Sequence, residues 1–257
     1  MRQLAILLFL ICIFLPVYAQ DDENAPALPT PLPRVYTQEE INNLMDLIQE
    51  NYGIGFAYPA EWIASDANEV IWFADGLHEI LHALDTAAYY LYIYGSATDE
   101  VTPAEFFRQH FDRARIILDR ATYIDGGFWG NTLPMYENSQ VVGYMIQLTF
   151  QGMGGPFVIV HELGHVLDSL LSDVPHTQFV EELGGEWTTQ NWIPGVGYSG
   201  NERFFPRGLG GPNEDFADTF ANMLLGYLSE ENIPARFDFM QRYLPTWLES
   251  IREMPVS

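Results

Sequence analysis

The chain has 257 residues, 48% hydrophobic and 14% aromatic, which is enough apolar surface to bury one sizeable core and too much for a disordered polymer. Its 35 acidic residues against 11 basic ones give a formal charge of -24, which repels phosphate backbones and anionic lipid headgroups and so argues against nucleic acid or a membrane surface as partner. Every basic residue is arginine, so Schiff-base chemistry and the phosphate-gripping lysine of a P-loop are excluded as well.

At the N-terminus, Arg2 precedes an apolar run from Leu4 to Val17 that ends on Val17-Tyr18-Ala19, the pattern of a secretory signal cleaved after Ala19. The run is shorter than the ~20 residues needed to span a bilayer, so residues 1–19 are read as a signal peptide rather than an anchor, and the mature chain as secreted, with a bacterial source suggested. Cleavage removes Arg2 and the single cysteine, Cys12, leaving 10 basic against 35 acidic residues, a charge of -25. The mature chain then has no disulfide, cysteine nucleophile or cysteine ligand, and a metal site would have to come from His, Asp and Glu. Residues 20–34 carry four prolines and three acids without apolar periodicity and read as a disordered tether. The folded domain is expected over residues 35–257.

Thr37 and Glu40 form a capping-box pattern ahead of Ile41, Leu44, Met45 and Ile48, and Gly53 can end that helix. Residues 54–74 read as short strands. A second helix is predicted from about Gly76 to Tyr94. A third opens at Thr102-Pro103 with a second capping box at Glu105 and runs to about Arg120. Tyr123-Ile124 and the run Val141 to Phe150 read as strands on either side of a turn-rich stretch, Gly126 to Asn138. Gly152 to Pro156 opens a helix to about Leu171, a Gly/Pro-rich region spans 184–212, and a further helix follows from Asn213 to about Leu228.

His161-Glu162-Leu163-Gly164-His165 is an HExxH sequence. On a helix its histidines lie one turn apart on one face, so both imidazoles can reach one zinc ion, and Glu162 can reach a water on the open side of that ion as general base. His78-Glu79-Ile80-Leu81-His82 repeats the pattern. Around the first helix, Ile159, Val160, Leu163, Val166, Leu167 and Leu170 make an apolar face opposite His161, His165 and Asp168. Around the second, His78, His82 and Asp85 only flank the core stripe, as a solvated helix edge does. Asp168 itself is either such a surface acid or a partner to a ligand.

A catalytic zinc keeps three protein ligands and an open position. Downstream of His165 stands Asn213-Glu214-Asp215-Phe216-Ala217-Asp218, in which Glu214 and Asp218 share a helix face. One carboxylate can bind zinc while the next orients a ligating histidine. Glu186 is a rival third ligand, although Gln190 rather than an acid stands four residues on, and Glu181 and Glu182 are weaker rivals. His176 does not have the spacing of a metzincin third ligand, which would fall on Leu171. Trp129, Trp187 and Trp192 belong either to a substrate cleft or to the core.

HELGH followed by NEDFAD resembles the zincin metallopeptidases of the gluzincin branch. With about 50 residues between the two helices, the wording is closest to the catalytic domain of the anthrax lethal factor type, over roughly residues 120–228. The resemblance implies an α+β zincin-like metallopeptidase fold, in which a mixed sheet and the active-site helix (about 35–175) stand over a mostly helical lower half (about 176–257). It implies zinc on His161, His165 and Glu214, with Glu162 as general base and Asp218 orienting a ligand. It also implies a tyrosine upstream of the glutamate that stabilises the oxyanion, for which Tyr198 is the nearest candidate. The function so implied is a secreted zinc-dependent metallopeptidase hydrolysing peptide or protein substrates. A secreted zinc-binding or adhesive module without turnover, and a zinc hydrolase acting on other bonds, are the competing readings.

Overall fold

A computed structural model describes residues 36–57, 67–95, 100–121, 124, 129–149, 153, 155–188, 192–196, 210–231 and 233–254. The expected signal peptide and tether (1–34), Tyr123 and Tyr198 lie outside the described residues. Among those described are seven α-helices and six strands, an α+β chain with a small mixed sheet.

Helix α1 (Gln38–Tyr52) starts at the capping box of Thr37 and Glu40 and stops where Gly53 turns left-handed at φ 69°, its N–H bonding back to the Gln49 carbonyl. Strand β1 is short (Gly55–Phe56), and α2 runs over Ala67–Tyr94. The strands expected up to residue 74 are therefore only partly present: α2 begins nine residues before Gly76. Phe73, Ala74, Leu77, Ile80, Leu84, Ala88 and Leu91 are buried along it, a helical stripe that reaches back to Phe73, within the segment read as extended.

The second capping box holds as well, with Thr102 accepting from the Glu105 N–H at the start of α3 (Pro103–Phe111). This helix ends well before Arg120. A 3₁₀ turn over Asp112–Ala114 leads to Arg115 at φ 44°, and Ile116–Arg120 forms β2, burying Ile116 and Leu118 on one face. The period-2 pattern of Ile-Ile-Leu outweighs the preceding helical pattern. Strand β3 (Gly130–Glu137) occupies most of the stretch read as turns. Asn138 and Ser139, both at positive φ, form a two-residue hairpin into β4 (Gln140–Leu148). Pro134 is tolerated because β3 is an edge strand. The sheet order is β1-β2-β4-β3, with β1, β2 and β4 parallel and β3 antiparallel to β4.

Helix α4 (Pro156–Leu170) carries HELGH and lies on β3 and β4. Ser172 and Asp173, both left-handed, turn the chain sharply into α5 (Val174–Leu183). A hairpin of β5 (Gly185–Trp187) and β6 (Trp192–Pro194) interrupts the Gly/Pro-rich region. Then come α6 (Pro212–Leu224) and α7 (Pro234–Glu253). A single hydrophobic core joins α1 to α4, the central strands, α6 and α7.

Candidate metal centre

Two helices far apart in sequence meet to build the site. Gly164 lies in α4 where α6 crosses, and a Cβ placed there would stand 3.0 Å from the Ala217 Cα and 3.2 Å from the Phe220 ring. Without that side chain the helices approach closely enough for Glu214 and Asp218 to face His161 and His165. Val160, Leu163, Phe216 and Phe220 are fully buried around them, so the alignment rests on packed apolar volume.

Within this junction the His165 Nε2 is 3.1 Å from the His161 Nε2. The Glu214 carboxylate lies 3.1 Å from the His161 Nε2 through Oε2 and 3.3 Å from the His165 Nε2 through Oε1. A tetrahedral zinc with bonds of about 2.0–2.1 Å separates its ligand atoms by about 3.3 Å. Each Glu214 oxygen thus faces one imidazole, the contacts of 3.1–3.3 Å are close to that spacing, and the donor set of two imidazoles and one carboxylate suits zinc. On its other side, the His161 Nδ1 donates to Asp218 Oδ1 at 2.7 Å, which leaves the Nε2 lone pair facing the common point.

Electrostatics favour a cation here. Burial works against charge on the His161 ring, but the hydrogen bonds to Asp218 and Glu214 outweigh it and hold its pKa well above the ordinary histidine value. Burial also tends to raise the Glu214 carboxyl, and His161 and His165 more than reverse this, holding it well below the usual carboxylate range. Asp218, 2% exposed, is pushed up to about 6 by burial, against the pull of His161.

Glu162 is buried beside this triangle. Its Oε2 accepts from the Thr132 hydroxyl at 2.7 Å. Gly130 of β3 leaves the room it occupies, since a Cβ there would fall 2.5 Å from Glu162 Oε1. The edge strand thus clamps Glu162 and walls a cleft of about 780 Å³ whose lining includes Trp129, His161, His165, Glu214 and His176.

His161, Glu162, His165, Glu214 and Asp218 are therefore brought together. Glu186, Glu181 and Glu182 do not join the triangle; Glu182 pairs instead with Arg242 and Tyr243 of α7. On α2, His78 packs against the Tyr36 ring and His82 is solvent-exposed. Among the described residues, no third His, Cys, Asp or Glu joins that pair. Trp129 lines the cleft, Trp187 is exposed, and Trp192 is buried with its Nε1–H on Asp215.

Gly130 and Thr132 were hidden from sequence reasoning because their strand resembles a turn. Asp215 was hidden because its partner, Arg236, is 21 residues away: Arg236 donates to Asp215 Oδ1 at 2.6 Å and to Thr219 Oγ1 at 2.7 Å, all of it buried. Compared with family models, curated proteins and solved structures, the chain finds no match in any of the three.

Proposed function

We propose that this chain is a zinc-dependent metallopeptidase with a zincin-like fold of the gluzincin branch. His161, His165 and Glu214 hold the ion, Asp218 orients His161, and Glu162 is the general base. One observation carries the reading: two imidazoles and a carboxylate from two helices converge with contacts of 3.1–3.3 Å, close to the edge length of a zinc tetrahedron, with a buried carboxylate beside them in the same cleft. The N-terminal apolar run supports export of the mature chain, and no helix among the described residues is long and apolar enough to cross a membrane.

When bound, the metal supplies Lewis acidity, polarising a carbonyl and easing proton loss from water. This chain's own residues do the rest. Glu162, held by Thr132 beside the proposed metal position, takes the proton from the attacking water and later delivers it to the leaving amine. The outer edge of β3 runs along the cleft and can align an extended peptide by backbone hydrogen bonds.

The test is the zinc content of residues 20–257 and of the Glu214→Ala variant, followed by peptide-library cleavage by the parent and by Glu162→Gln. One tight zinc that Glu214→Ala weakens, with turnover abolished and zinc retained in Glu162→Gln, is the expected result. A folded parent without zinc, or a zinc protein with equal turnover in Glu162→Gln, refutes the proposal. Zinc without any hydrolysis leaves a binding module.

A further inference from the structure

Asp168 follows His161 and His165 along the same face of α4, about 4.5 Å further along the axis than His165 at 1.5 Å per residue. It is not a solvated surface acid. Its side chain is 6% exposed, its Oδ1 accepts the backbone N–H of His176 at 2.9 Å, and its Oδ2 lies 2.6 Å from the His176 Nδ1. The left-handed turn at Ser172 and Asp173, with the Asp173 N–H on the Asp168 carbonyl, folds α5 back so that this pair forms. His176 lines the same cleft as Glu162 and Glu214.

Asp168, Asp173 and His176 also lie close enough together to suggest a second ion, but the spacing speaks otherwise. The donor atoms around the zinc position stand 3.1–3.3 Å apart, whereas 2.6 Å between His176 and Asp168 is the width of a shared proton. It matches the 2.7 Å of the Asp218–His161 pair. The cleft therefore contains two histidines oriented by buried carboxylates. One ring turns its Nε2 to the metal position, and the other has an Nε2 that meets no hydrogen-bond partner among the described residues.

Resting on the peptidase reading above, we propose that His176 is a catalytic residue, whose Nε2–H donates a hydrogen bond to the scissile carbonyl oxygen as that oxygen becomes negative. The water oxygen bonds to the carbonyl carbon, the π pair moves onto the carbonyl oxygen, and the water proton passes to Glu162. On collapse the π bond re-forms, the C–N bond breaks with its pair on nitrogen, and nitrogen takes the proton from Glu162. His176 keeps its Nε2 proton throughout, and Asp168, against Nδ1 at 2.6 Å, holds the ring in place as the oxygen becomes negative.

The experiment compares the parent with His176→Ala, the more conservative His176→Gln, Asp168→Asn and, for the rival candidate, Tyr198→Phe. It measures zinc content, turnover of a peptide that the parent cleaves, and calorimetric affinity for a phosphinic peptide, which mimics the tetrahedral oxygen, and for the cleaved product. His176→Ala should keep its zinc and its product affinity. Its kcat should fall about 10²–10³-fold with KM little changed, and phosphinic-peptide affinity should fall in step; His176→Gln should recover part of both, and Asp168→Asn should lose less. Unchanged kcat and phosphinic-peptide affinity in folded His176→Ala overturn the proposal, as do parallel losses of both ligands, loss of zinc, or a defect confined to Tyr198→Phe. A parent that neither cleaves peptides nor binds the phosphinic peptide overturns the peptidase reading itself, and the role of His176 with it.

Discussion

Asp215 adjoins the proposed ligand Glu214 yet points away from the metal position, into a fully buried ion pair. Its carboxylate has no exposed surface and receives Arg236 on Oδ1 and Trp192 on Oδ2; Arg236, 1% exposed, also stacks over the Phe179 ring. One carboxylate thus ties α6 to α7 and to β6, while its partner reaches α5. Asp215→Ala removes the counter-ion and leaves the guanidinium buried, a change that costs about 3–5 kcal/mol. For a folded unit of this size (Val35–Ser257), each kcal/mol corresponds to about 2–4 °C, so Tm should fall by about 6–20 °C. Calorimetry and urea unfolding measure the loss, and zinc affinity should fall with it, because Glu214 loses the anchor of its helix. Replacing both charges, as in Asp215→Ala with Arg236→Met, should recover part of the stability, since no unpaired charge is then buried. A single-variant cost below about 1 kcal/mol, or a double variant no more stable than the single one, would show that the pair does not anchor α6.

Gly130→Ala should lower kcat on the order of 10²-fold with zinc retained, because its Cβ would displace Glu162; unchanged kcat in steady-state assays counts against Glu162 as base. Asp218→Asn should weaken zinc about 10–100-fold in chelator competition, and equal affinity would mean that His161 needs no carboxylate to orient it. Burial holds the His110 pKa below its ordinary 6.5, against the bond of Nδ1 to the Phe106 carbonyl. The unfolded chain therefore takes up a proton that the folded chain resists, so stability is full above pH 6.5 and falls below it by up to about 1.4 kcal/mol per pH unit. Urea midpoints between pH 7.5 and 5.5 should drop further for the parent than for His110→Leu; equal drops refute this.

Local signals were the most legible. Both capping boxes, the glycine stop at Gly53 and the helix carrying HELGH are written in contiguous residues, and the pairing of Glu214 with Asp218 follows from spacing on one face. The extra turns of α2 were missed because its first residues alone do not declare a helix; the helix as a whole packs against α1, α3, α4 and α6. The boundary at Arg115 was missed because it depends on one left-handed residue. Strand β3 was missed because an edge strand tolerates Asn and Pro that read as turn formers. Asp168 was ambiguous in sequence because its partner comes from the next helix, and the turn that delivers His176 depends on two non-glycine residues at positive φ.

The crossing of α4 and α6 over Gly164 has a temporal consequence. His161 and Glu214 are 53 positions apart in the chain, and the segments carrying them share no local structure that could preassemble the triangle. Three donors converge only after the two helices have closed over the missing side chain. A chain caught part-way through folding therefore holds two histidines and a glutamate with no common focus, and the proposed metal centre comes into being only when the tertiary structure is complete.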